Sequence, residues 1–119
     1  MKFLYLMLTL FVAQQSVAAE LMENDVVWLD VRTVEEYAEG YLQAATLIPH
    51  KDIGDSIAAH VSDKHQPINL FCRTGNRAGI AKQTLEDMGY TNVQNIGSLQ
   101  DAAELFSRTL EDDQQVCCL

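Results

Sequence analysis

Ile68-Asn69-Leu70-Phe71-Cys72-Arg73-Thr74-Gly75-Asn76-Arg77 is an apolar run that delivers a cysteine into a short loop holding one glycine and two arginines. The run reads as a strand. Beyond the loop, Ala78, Ala81, Leu85 and Met88 share one face of a helix, with Gly89 placed to cap it. This strand-loop-helix order puts Cys72 at a strand's carboxyl end, beside first-turn N–H groups that lack intrahelical partners and favour an anion. Gly75 permits the tight backbone path. Arg73 and Arg77 add positive charge, so the loop favours thiolate over thiol and attracts an anionic substrate. The chemistry suited to this set is sulfur nucleophilicity. A packing cysteine is the ordinary alternative, but packing does not require Arg-x-Gly-x-Arg directly after the sulfur.

Working outward, Val26 to Leu29 is a continuous apolar run ending at Asp30, the pattern of a strand buried on both faces. Thr33 and Glu36 form a capping-box pair and predict a short helix over 34–39 that stops at Gly40. Thr46 to Ile48 reads as a short strand ended by Pro49, and Ile53, Ile57 and Val61 give one apolar stripe to a helix over about 54–61. After the Cys72 helix, Val93 to Ile96 reads as a fourth strand, and Leu99, Ala102, Ala103, Phe106 and Leu110 mark a last amphipathic helix. Strands alternating with helices predict a single α/β domain, a mainly parallel central sheet flanked by helices, with ligands at the carboxyl ends of the strands. Trp28 is expected in the core, and Tyr37 and Tyr41, at helical spacing, are expected to pack locally. His50, His60 and His65 lack ligand spacing and read as surface or loop residues.

The loop resembles the active-site loop of rhodanese-domain sulfurtransferases, whose Cys-Arg-x-Gly-x-Arg/Thr pattern it matches at Cys72, Arg73, Gly75 and Arg77. Leu29-Asp30-Val31-Arg32, Glu35-Glu36-Tyr37, Gly40-Tyr41-Leu42 and Ala45 through Ile48-Pro49 are similar to that family's N-terminal signature, and Gly89-Tyr90 with Val93 continues the likeness downstream. Together these blocks cover Val26 to Leu99. The chain departs from the pattern at Tyr41, Gln43 and Ala44, where the family carries His and then Pro-Gly, and at Gly97-Ser98, where it often has Gly-Gly followed by a tryptophan. In size the chain is most similar to small periplasmic single-domain rhodaneses of the phage-shock-protein-E type. The resemblance implies a rhodanese-like fold and a thiosulfate sulfurtransferase in which Cys72 carries a persulfide. It also implies that Arg77 contacts the substrate anion, with Arg73, Thr74, Gly75 and Asn76 around it. Asp30 and Arg32 are expected to be structural, Asp30 bonding loop amides and Arg32 pairing with an acid such as Glu36.

Residues 1–19 have the pattern of a secretory signal: Lys2, an apolar core from Phe3 to Ala13, and small residues Val17-Ala18-Ala19 at a cleavage site. The apolar run is shorter than the ~20 residues that span a bilayer. The expected organisation is a leader over 1–19, one domain over 20–110 and a polar tail over 111–119, with the mature protein periplasmic or secreted and not membrane-bound. The charge is −9, and losing Lys2 with the leader makes it −10. Such acidity disfavours nucleic acid and anionic lipid, while the two loop arginines suit a small anionic sulfur donor. A thiophilic acceptor completes the reaction, and no cofactor or metal is expected. Three cysteines are too few for a disulfide framework. Cys117 and Cys118 in the tail are candidates for a disulfide-linked dimer or for pairing with Cys72.

Two other function classes fit parts of the pattern. Phosphatases and arsenate reductases of related fold use a cysteine loop one residue longer, which would need arginine at position 78, where Ala78 stands. The shorter ring suits a single sulfur better than a tetrahedral oxyanion. A non-catalytic binding or thiol-redox module is the other class, separated from an enzyme by whether Cys72 accepts sulfane sulfur.

Overall fold

The computed structural model describes residues 26–117, with side chains through Leu110. The expected leader, Cys118 and the side chain of Cys117 lie outside the described residues.

Strand β1 (Val27–Asp30) is followed by α1 (Val34–Glu39), β2 (Thr46–Leu47), α2 (Ile53–His60), β3 (Ile68–Cys72), α3 (Asn76–Asp87), β4 (Val93–Ser98) and α4 (Leu99–Cys117). The four strands are all parallel, in the order β2-β1-β3-β4. Side chains alternate across the sheet because a strand's period is two. Leu29, Ile68, Leu70, Cys72 and Val93 therefore meet Ile53 and Ile57 of α2 and Ala78, Ala81 and Leu85 of α3 on one face. Trp28 and Phe71 face the other way, onto Ala102, Leu105 and Phe106 of α4, with the Trp28 and Phe106 rings edge to face at 5.7 Å. Covering both faces is what parallel strands require.

Local signals set the element ends. Thr33 Oγ1 accepts from the Glu36 N–H and Glu36 Oε1 accepts from the Thr33 N–H, so the capping box at α1 is complete. At the end of α3, Gly89 N–H donates to the Glu86 carbonyl and Tyr90 N–H to that of Leu85, the paired bonds of a Schellman cap. Strand β4 runs two residues past its apolar stretch because its ladder continues until Ser98 pairs with Cys72. It carries a bulge: Leu70 pairs with Asn95 and Phe71 with Gly97, leaving Ile96 as the extra residue. Helix α4 continues to Cys117, past Leu110 where the apolar pattern fades. Among the described residues no helix is long and apolar enough to cross a membrane.

Candidate active site

Cys72 ends β3 at the carboxyl edge of the sheet, and the chain turns at once into α3 through Arg73, Thr74 and Gly75. Gly75 has φ +96°, a left-handed conformation that side chains resist. A Cβ there would stand 3.4 Å from the Gly97 Cα of the neighbouring strand. That turn aims the Gly75 N–H at the sulfur, 2.9 Å from Cys72 Sγ. Burial by itself pushes the Cys72 thiol up. The backbone N–H groups of Ala78, Gly75, Thr74 and Arg77 act against it and hold the thiol below its ordinary range. The cradle extends one residue further than the loop motif suggests, to Ala78. Its centre is a sulfur in a ring of amide dipoles, stabilised as an anion.

The two arginines differ. Arg77 turns back to Glu36 of α1 and donates to both carboxylate oxygens, through Nη1 to Oε1 and through Nη2 to Oε2 at 2.8 Å. The Arg77 hydrogen bonds, chiefly, hold the Glu36 carboxyl at about 2. Arg73 is 70% exposed and approaches the same carboxylate only at 3.8 Å, so it keeps its charge available to solvent and ligand. Beside Arg73 a cleft of about 360 Å³ is lined by Arg32, Glu36, Glu39, Gly40, Ser98, Leu99 and Gln100. Cys72 does not line it, but Ser98, its neighbour across the ladder, does. Thr74 and Asn76 are exposed.

Asp30 and Arg32 form a buried support under the site. The acid that pairs with Arg32 is Asp30 rather than Glu36: Nε and Nη2 of Arg32 donate to the Asp30 carboxylate at 2.7–3.0 Å, and the Arg32 N–H adds a third group. Asp30 thus bonds an amide next to its own strand and not those of the Cys72 loop. Arg32 reaches Glu36 through the main chain, donating to the Glu36 carbonyl at 3.3 Å and to the Gly40 carbonyl at 2.7 Å. Through Nη1 and Nη2 it thereby holds the path of α1, and α1 presents Glu36 to Arg77.

Trp28 is buried as expected, and Tyr37 and Tyr41 stack at 4.6 Å. His60 and His65 are exposed, His65 facing Thr91, and His50 is half-buried in a turn. No group of three or more His, Cys, Asp or Glu among the described residues is arranged to hold a metal.

Two side chains near the loop have contacts that the sequence reading passed over. Glu36 was legible as a helix cap; its hold on Arg77 joins residues 41 apart in sequence and left no local trace. Asn95 donates to the Gly75 carbonyl at 2.9 Å and accepts from the Gly97 N–H at 3.0 Å. Its signal was parity: two residues after the buried Val93, an amide in a strand falls on the face turned to α3.

A parallel α/β domain whose sheet edge holds a cysteine in a six-residue amide loop that favours its ionisation is the arrangement of the rhodaneses, and this chain belongs to that family: the rhodanese-like domain matches residues 13–103. Among individual proteins, it is 42% identical over 76 residues to the thiosulfate sulfurtransferase PspE of Escherichia coli K12, covering 64% of this chain and 73% of that protein. Among solved structures it is similar to a rhodanese with anions from E. coli, with TM-score 0.62 and 40% identity over 65% of this chain and 91% of the other. The human single-domain sulfurtransferase TSTD1 is also similar, with TM-score 0.57 and 25% identity over 74% and 89% of the two chains.

Proposed function

We propose that this protein is a thiosulfate sulfurtransferase that works through a persulfide on Cys72. The observation that carries the reading is Cys72 Sγ at 2.9 Å from the Gly75 N–H, in a loop that holds the thiol below its ordinary range. The Cys72 thiolate attacks the outer sulfur of thiosulfate. A new S–S bond forms to Cys72 as the old one breaks, and sulfite leaves with the bonding electron pair. The enzyme keeps a persulfide anion, whose terminal sulfur the loop amides and the local positive charge stabilise. An acceptor then attacks that sulfur: cyanide becomes thiocyanate, a thiolate becomes a persulfide, and Cys72 thiolate is restored. Charge and protons balance in both half-reactions without a cofactor.

Arg73, Thr74, Gly75, Asn76 and Arg77 form the donor site in this reading. Arg73 supplies the accessible charge that meets the sulfite end of the donor. Arg77, tied to Glu36, holds the loop and contributes field from a fixed position. The leader-like residues 1–19 support export to the periplasm, an oxidising compartment in which Cys117 or Cys118 would link two copies. The test is release of sulfite and formation of thiocyanate from thiosulfate and cyanide by purified protein. Turnover that depends on Cys72 is expected, and a protein inert with thiosulfate and other sulfane donors would overturn the assignment.

A further inference from the structure

The Gly75 carbonyl is the point at which the Cys72 loop is tied to the rest of the fold. It accepts twice, from the Gly79 N–H at 2.9 Å as the first bond of α3 and from Asn95 Nδ2 at 2.9 Å. The other end of the Asn95 amide accepts from the Gly97 N–H at 3.0 Å, so one side chain spans from the bulged strand to the loop. Gly75, Asn95 and Gly97 are in van der Waals contact. A Cβ on Gly75 would lie 3.4 Å from Gly97 Cα and 3.7 Å from Asn95 Oδ1, and one on Gly79 would lie 3.6 Å from Asn95 Nδ2. The bulge at Ile96 sets Asn95 and Gly97 in this relation, because the two residues flank the extra one while Leu70 and Phe71 opposite them stay consecutive.

We propose that Asn95 is a positioning residue for the sulfur chemistry, fixing the Gly75 peptide so that the loop amides converge on Cys72. The proposal rests on the reading of Cys72 as the nucleophile. The physical step is short. Gly75 is left-handed and without a side chain, so nothing in the residue itself holds its dihedrals. The bond to its carbonyl fixes the plane of the following peptide, which starts the turn carrying the Arg77 and Ala78 N–H groups. On the other side of the same residue, the Gly75 N–H donates to the sulfur at 2.9 Å. Preorganised dipoles stabilise an anion only if they do not have to reorient when charge appears. Asn95 therefore acts through Gly75 on the thiolate and on the persulfide alike, and touches neither.

Alkylation of Cys72 by iodoacetamide across pH measures the thiolate directly and does not depend on sulfur transfer, so it separates this proposal from the activity assignment. Asn95→Ala should raise the alkylation midpoint by about one pH unit. It should also lower kcat with thiosulfate about tenfold, with KM within about twofold. Gln94→Ala, at the exposed neighbouring position, should change neither. A folded Asn95→Ala protein whose melting temperature falls while the alkylation midpoint stays put would overturn the proposal, because that is the behaviour of a brace for the fold alone. Should the variant not fold, hydrogen exchange in the unsubstituted protein decides. The Asn95 Nδ2 proton held by the Gly75 carbonyl should exchange more slowly than either carboxamide proton of Gln94, and equal exchange would overturn it.

Discussion

At the scale of single residues, Cys72 and its loop are where sequence and structure agree most closely, because the loop's geometry is local. A strand end, a left-handed glycine and a helix start follow one another within the motif, and each leaves a sequence mark. Cys72→Ser should abolish turnover while leaving the melting temperature nearly unchanged, since oxygen packs almost as sulfur does but is a far weaker nucleophile and forms no persulfide. Because the amides hold the thiol low, the thiolate is present below the pH at which an ordinary cysteine ionises. The pH profile of kcat/KM should therefore rise and level off earlier than the alkylation profile of a free thiol. The arginines are less legible. Composition marks both as loop cations, but only folding shows that Glu36 engages Arg77 and leaves Arg73 open. Arg73→Ala should act mainly on KM for thiosulfate, raising it about 3–10-fold. Arg77→Ala should lower kcat/KM about 10–100-fold and destabilise the protein as well, since it leaves Glu36 without its partner. Equal effects of the two on KM alone would remove the distinction.

At the scale of elements, strand and helix starts follow from apolar periodicity to within a residue or two, as with α2, expected over 54–61 and found at Ile53–His60, whereas α4 runs on past Leu110 to Cys117. The bulge in β4 was not legible. It arises from pairing with β3, and no residue of Val93–Ser98 announces by itself that Ile96 is extra. The role of α1 was half legible. Its capping box was readable, but its position over the site depends on Arg32 and on the Glu36–Arg77 pair. That pair has an acid signature. The Glu36 carboxyl lies at about 2 against an ordinary 4.5, so between those values the unfolded chain takes up a proton that the folded protein does not. The stability from this group is complete above 4.5, falls as pH drops towards 2 and is gone below. Glu36→Gln should therefore cost about 1–3 kcal/mol at neutral pH and flatten the loss of melting temperature across that acid range. Parallel acid titrations of the two proteins by circular dichroism provide the check, and equal slopes would show that the pair contributes nothing.

At the scale of the whole molecule, two cores on opposite faces of one sheet hold the strand that ends in Cys72. The alternation of Leu70 and Cys72 with Phe71 joins that strand to both. This much was legible, since alternating strands and helices admit few other arrangements. Trp28→Ala, removing a ring that packs edge to face on Phe106, should cost about 3–5 kcal/mol without altering the alkylation midpoint of Cys72. With export as proposed above, oxidised material should show a dimer band that reducing agent or the paired Cys117→Ser and Cys118→Ser changes abolish. A monomer with every thiol open to alkylation would dismiss that link. Pairing of the tail with Cys72 itself is disfavoured, because the sulfur lies at the base of its loop, where a small reagent reaches it more easily than a second protein sulfur at the S–S bonding angle. The central claim is that Cys72 carries the transferred sulfur, and the intact mass of the protein after brief treatment with thiosulfate tests it most directly. The account predicts a gain of about 32 Da, one sulfur atom, lost on adding cyanide and absent in Cys72→Ser. An unchanged mass in the unsubstituted protein, or the same gain in Cys72→Ser, would contradict it.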